Sequence, residues 1–289
     1  MAKWERAVKK MQIHKIRVWF QLLFTIVTNG YLYGFLHGKI YTGALKYSCL
    51  PGLNCYSCPG AVGSCPIGAL QAVLNQRNFQ IPFSVVGFLF VFGSIFGRFV
   101  CGWMCPFGFV QDLLHKIPLF QKRKRLPGHN ILKYGKYISL FGFVIFGSAF
   151  LLYGFVKIPA FCKFVCPSGT LLGAFPLIAT NESLRAQLVG LFFCKLGILL
   201  FIVVLSIKVY RPFCQYLCPL GAIYGWFNRY SFVQIHWEKE NCILCMKCKN
   251  ACPVDLEPQE ISISPQCIKC GKCVSVCPTG CLTMKNKIK

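Results

Sequence analysis

Four stretches of this chain are apolar for about as long as a bilayer is thick. Residues 18–36, 81–97, 137–156 and 188–209 hold few charges, and a bilayer-spanning helix needs roughly 17–25 residues. Buried helices of a soluble bundle are the alternative, but these are usually shorter and keep a polar face. The composition points the same way, with 55% hydrophobic and 14% charged residues in a chain of 289, against about 25% charged in average soluble domains. So apolar and aromatic a chain is not disordered, and it is far longer than a secreted disulfide mini-protein.

The net charge of +24 suits nucleic acid or the anionic face of a membrane. Lys and Arg crowd the segment before the first apolar run (Lys3, Arg6, Lys9, Lys10, Lys15, Arg17) and the loop between the second and third (Lys116, Lys122, Arg123, Lys124, Arg125, Lys133, Lys136). The other two loops carry fewer: Lys39, Lys46 and Arg77, then Lys157, Lys163 and Arg185. The positive-inside rule then predicts a multi-pass inner-membrane protein with both termini cytoplasmic. Orientation accounts for the charge, and no nucleic-acid motif asks for another partner. The first run has a basic leader but is too long for a cleavable signal peptide, and no clear small-residue cleavage site follows, so an anchor is expected.

From about Trp237 the apolar runs stop. Cys242, Cys245, Cys248 and Cys252-Pro253 are followed by Cys267, Cys270, Cys273 and Cys277-Pro278 in the same spacing. This is the bacterial two-cluster ferredoxin run, in which the fourth Cys of each group ligates the other cluster. The expected sets are Cys242, Cys245, Cys248 with Cys277, and Cys267, Cys270, Cys273 with Cys252. Structural zinc is the alternative, but it usually shows two Cys-x2-Cys pairs well apart.

Cys-Pro recurs at Cys58, Cys65, Cys105, Cys166 and Cys218, and Cys101/Cys105, Cys162/Cys166 and Cys214/Cys218 are Cys-x3-Cys-Pro pairs. A repeat organises them. GSCPIGALQAV (63–73) resembles FVCPSGTLLGA (164–174), and GRFVCGWMCPFGFV (97–110) resembles YRPFCQYLCPLGAI (210–223). Each half reads span, Cys-Pro element, span, Cys-Pro element, a parallel repeat about an axis along the membrane normal. Chain tracing puts Cys101, Cys105, Cys214 and Cys218 at the inner face and Cys55, Cys58, Cys65, Cys162 and Cys166 at the outer face. Four thiolates serve one [4Fe–4S] cluster, so each face is expected to hold one, the outer with four of its five cysteines. Disulfides are the alternative for the outer set.

Short apolar helices are predicted after Cys-Pro at 67–73, 107–114, 168–174 and 220–226, with Pro in the first turn and Cys at the N-terminus. There the helix dipole and free N–H groups stabilise thiolates. Gly68, Gly108, Gly169 and Gly221 are expected to allow close backbone approach. Cys49, Cys194 and Cys281 show no partner spacing and read as small buried hydrophobes. Asn29, Gly30 and Gly34 read as helix-packing residues. His37 reads as interfacial, and Lys195 either snorkels or sits beside an anionic cluster. Ser168-Gly169-Thr170 is a chance likeness to a flavin-attachment sequence.

Polytopic Cys-x3-Cys-Pro elements, CGWMCPFG (101–108) and CQYLCPLG (214–221) above all, followed by a two-cluster ferredoxin domain, resemble the NapH/NosR-type membrane ferredoxin proteins. The resemblance covers most of the chain and implies a quinol dehydrogenase component or an electron conduit to a periplasmic redox partner. The outer elements CYSCPGAVGSCPIGALQ (55–71) and CKFVCPSGTL (162–171) go beyond the plain pattern, and the large flavin-carrying domain of the NosR type is not expected.

The expected architecture is an α-helical membrane protein. It has four transmembrane helices in two parallel repeats with half-helices after Cys-Pro, and a C-terminal α+β two-cluster ferredoxin domain. Its parts are a basic N-terminus (1–17), repeat one (18–125), repeat two (126–236) and the ferredoxin domain (237–289). The expected function is electron transfer through four [4Fe–4S] clusters, as a subunit of a membrane redox complex. It would link a cytoplasmic donor, ferredoxin or flavoprotein, to an extracytoplasmic redox protein that could itself carry flavin. The alternatives are a quinol dehydrogenase subunit using quinone, with Asp112 and His115 as its polar groups, and a cluster-based redox sensor or assembly subunit. No haem, P-loop or dinucleotide motif is present.

Overall fold

The computed structural model describes residues 2–75, 83–150, 152–153, 156–186, 190–261 and 263–286. Arg77 and the first residues of the second and fourth apolar runs lie outside the described residues.

The first apolar run is not one helix. Ala2–Thr28 is a continuous helix through the basic leader, and Leu32–His37 is a second, short one. The break occurs where another loop takes over the helix's backbone bonds: Val62 N–H donates to Thr28 O at 3.0 Å and Tyr31 N–H to Gly60 O at 3.2 Å. Terminal carbonyls need such partners. Gly34 admits that loop, since a Cβ there would lie 2.4 Å from Pro59 O. Asn29 accepts from the Cys58 thiol at 3.7 Å. Asn29 and Gly34 therefore seat a cysteine loop, where helix–helix packing was expected.

The second run gives Phe83–Phe96, a helix of 14 residues. It closes at Gly97 in the left-handed conformation (φ 54°), a common helix stop. The third winds over 135–150 with its middle, Ser139–Phe146, π-wound. It ends at Phe150, before a hairpin pairing Leu152–Tyr153 with Val156–Lys157, so the run to 156 is not a single helix. Gly190–Lys208, with 19 residues, is long and apolar enough to cross a membrane; among the described residues it alone meets that test. Hydropathy counts apolar residues but does not register the glycine stops and loop contacts that cut them into shorter rods.

Pro66–Leu74, Pro106–Leu114 and Pro219–Phe227 are helices that begin on Pro with Cys65, Cys105 and Cys218 as N-caps. Proline lacks the N–H that the first turn leaves unpaired anyway. After Cys166-Pro167 the chain is π-wound over Gly169–Ala174 and continues as Phe175–Thr180. The C-terminal part pairs Val233–Trp237 antiparallel with Leu282–Asn286 around the short helices Lys247–Ala251 and Lys272–Val276. One core joins it to the rest, running from Ile235, Ile268 and Leu282 to Phe107, Phe213 and Leu220.

Candidate metal centres

Four groups of thiols form. Cys252, Cys267, Cys270 and Cys273 lie within electrostatic reach of one another. Cys242, Cys245, Cys248 and Cys277 line one small hollow. Cys281 shares it, with its sulfur 3.3 Å from that of Cys277. Cys281 is therefore no isolated apolar residue: the turn after Cys277 returns it to the site.

The third group is Cys101, Cys105, Cys214 and Cys218, each within reach of the other three. A reciprocal pair of arginines holds the halves together. Arg98 donates to Cys214 O at 2.7 Å, and Arg211 donates to Cys101 O. Each arginine stands three residues before the first Cys of its own element. A Cβ on Gly108 would lie 3.0 Å from Arg211, and one on Gly221 3.2 Å from Arg98. The predicted close approach thus holds at these two glycines. Gly68 and Gly169 have ordinary contacts.

The fourth group is Cys55, Cys65, Cys162 and Cys166, again mutually within reach. They line a cavity of about 500 Å³ together with Lys46, Ser168 and Lys195. Cys58 stands apart from these four: it neighbours Cys55, turns to Asn29 and is not among the residues lining the cavity. Lys195 donates to Cys162 O at 3.3 Å, so it faces the cavity. Among the described residues no disulfide joins any of the cysteines. Cys194 is exposed and Cys49 half-buried, contrary to the expectation that both are buried.

The groups adjoin. Trp103 Nε1 donates to Lys269 O at 3.1 Å, joining the Cys101 element to the backbone between Cys267 and Cys270. Arg98, besides holding Cys214 O, donates to Pro265 O at 2.7 Å and Gln266 Oε1 at 3.1 Å. The third and fourth groups share one loop: Leu53 and Asn54 line the cavity of the fourth group, and Gly52 just before them lies against the third. Gly52 lets this loop close in, since its Cβ would lie 3.1 Å from Cys105 Cα. The two groups are neighbours, and the picture of ligand sets a full bilayer apart is corrected: the loop after Cys49 folds inward. Tyr224 donates to Pro51 O at 3.1 Å from within reach of both groups.

The residues fit anionic iron–sulfur clusters. Arg98, Lys136 and Lys269 are almost fully buried, and among the described residues none of them pairs with a carboxylate. Among the described residues Lys136 Nζ has no hydrogen-bond partner. Buried cations need nearby negative charge, which these cysteines would supply as thiolates bound to a cluster. Among the described residues no three His, Cys, Asp or Glu side chains gather tightly enough for a single ion. A cubane asks for something wider, because each thiolate binds a different iron.

Asp112 and His115, the quinone candidates, are otherwise engaged. Asp112 takes Arg211 Nε at 2.6 Å and Nη2 at 2.5 Å, and Arg17 as well. Burial alone would raise its pKa, but Arg211 and Arg17 hold it down to about 2. His115 Nδ1 bonds Ser206 O at 3.2 Å. His37 stacks on Tyr33 at 4.0 Å. The residues missed in the sequence are Arg98, Arg211, Gln71, Gln111 and Lys136. Arg98 and Arg211 occupy matching places in the aligned repeat, which was the available signal.

The profile described as "4Fe-4S binding domain" matches residues 64–84, 79–127, 138–179 and 191–240, and the "4Fe-4S dicluster domain" matches 234–278. An uncharacterized protein of Methanocaldococcus jannaschii is 34% identical over 198 residues, covering 68% of this chain and 75% of the relative. The ferredoxin-type protein NapH of Haemophilus influenzae is 29% identical over 192 residues, 62% of this chain and 57% of NapH. The regulatory protein NosR of Stutzerimonas stutzeri is 29% identical over 182 residues, 59% of this chain and 22% of NosR. No solved structure matches. The chain belongs to the 4Fe-4S binding-domain family, among the iron–sulfur electron-transport proteins of the NapH/NosR kind.

Proposed function

We propose that this chain is a membrane-embedded electron-transfer subunit whose cysteines hold four [4Fe–4S] clusters along one path. The order is Cys242/Cys245/Cys248/Cys277, then Cys252/Cys267/Cys270/Cys273, then Cys101/Cys105/Cys214/Cys218, then Cys55/Cys65/Cys162/Cys166. Bound clusters supply one-electron transfer; the chain holds and spaces them and keeps water away. The observation that carries the reading is the loop at Gly52–Asn54, which lies against Cys105 at Gly52, where a Cβ would stand 3.1 Å from Cys105 Cα, and lines the Cys55 cavity with Leu53 and Asn54.

The ends suit partners on opposite sides. Cys245 is exposed, an entry for a cytoplasmic ferredoxin or flavoprotein. The Cys55 cavity is flanked by exposed Tyr47 and Tyr56, an exit to an extracytoplasmic redox protein. The rods between carry large exposed apolar side chains, including Leu23, Phe90, Phe146 and Phe201, and so extensive an apolar surface suits lipid. From Arg17, beside the Cys101 element, to Thr28, beside the Asn54 loop, the first helix rises ~16 Å at 1.5 Å per residue. That is about half of a ~30 Å hydrocarbon core, so the last two groups divide the crossing into shorter steps.

Iron quantitation tests this. Anaerobically purified protein is expected to hold about 16 iron atoms, from four cubanes. About eight would leave only the ferredoxin pair and overturn the path.

A further inference from the structure

Two glutamines outside every ligand set make the same unusual contact. Gln71 Nε2 donates to Cys162 Sγ at 3.4 Å, and Gln111 Nε2 donates to Cys214 Sγ at 3.2 Å. Both are buried, at 0% and 1% exposure. They occupy equivalent places on the Pro66–Leu74 and Pro106–Leu114 helices, each six residues after its N-cap cysteine. In the second repeat the same places hold Leu172 and Tyr224. Each thiol group in the membrane part therefore receives one side-chain amide, from the first half onto the first cysteine of the second half's Cys-x3-Cys-Pro pair.

The amides are oriented by their surroundings. Gln71 Oε1 accepts from Ser148 Oγ at 3.2 Å and Phe161 N at 3.1 Å, which leaves its NH₂ for the sulfur. Gln111 Nε2 also reaches Phe107 O at 3.5 Å; reversing that amide would set its oxygen against both a carbonyl and a thiolate. Hydrogen bonds to ligand sulfurs are among the terms that set cluster potentials, and outer partners of metal ligands tune the centre they hold. An N–H donor favours the more negative, reduced cluster, and it does so most where water is excluded.

We propose that Gln71 and Gln111 are positioning residues that raise the reduction potentials of the Cys55-group and Cys101-group clusters. This rests on the electron-path reading. The test is an anaerobic redox titration of the full-length protein followed by electron paramagnetic resonance, with iron counted on the same samples. Gln111→Leu and Gln71→Leu are each expected to lower the reduction equilibrium constant of one cluster about tenfold, about 59 mV for one electron. Gln111→Met and Gln71→Met keep the side-chain length without an N–H or a charge, so a shift of the same sign separates hydrogen bonding from packing. Unchanged midpoints in the Met variants, with about 16 iron atoms retained, overturn the inference and leave the path standing. Loss of iron in both the Leu and the Met variants makes the glutamines assembly scaffolding and also overturns it. A wild-type protein with about eight iron atoms overturns the path itself.

Discussion

Cys58 and Cys65 both precede proline, yet only Cys65 faces the Cys55 cavity. Their sequence context is too similar to tell them apart; Asn29, at the break after the first helix, claims the Cys58 thiol. Cys65→Ser is therefore expected to lose about four of about 16 iron atoms, one cubane, while Cys58→Ser keeps them all. Equal iron in the two variants would refute the assignment. Asp112 makes a second case. It was legible as a polar group after a Cys-Pro element, but not as the carboxylate between Arg17 and Arg211, residues far apart in the chain. Asp112→Asn leaves both guanidiniums buried with reduced compensation, and breaking such a pair costs about 3–5 kcal/mol. Thermal unfolding in detergent should show the loss, with Asp112→Glu closer to wild type.

Among the elements, the Cys-Pro helices were the most legible. Proline in the first turn and an apolar stretch behind it are local signals, and Pro66–Leu74, Pro106–Leu114 and Pro219–Phe227 follow them. The break at Asn29–Tyr31 was not legible, because the groups that end that helix come from residues 60–62. The same holds for the contact between the Phe99–Trp103 helix and the ferredoxin domain. A Cβ on Gly102 would lie 2.2 Å from Ile268 O, so Gly102→Val must push the two apart. Stopped-flow reduction is expected to show normal filling of the ferredoxin pair and slowed passage to the Cys101 group, with iron content unchanged. Unaltered passage would show that this contact does not set the hop.

For the whole molecule, the decisive property is crossing. Protein reconstituted in liposomes, with a reductant outside and a trapped acceptor dye inside, is expected to reduce the dye. Cys101→Ser or Cys214→Ser should stop the current while keeping the ferredoxin signals, because either change removes a ligand from the group between the ferredoxin pair and the Cys55 cavity. Transfer that persists in both variants would mean that electrons take another route.

Cysteine spacing alone determined the two ferredoxin groups and the division of the remaining thiols between two repeats, because ligand spacing and helix starts are local properties of a chain. Tertiary structure decided how far apart the thiol groups lie, which outer cysteine turns away from the cavity and which cations are buried among them. Those outcomes depend on loops folding back, as residues 49–55 do onto Met104 and Cys105. Such contacts form between residues whose sequence separation carries no trace of their distance in space.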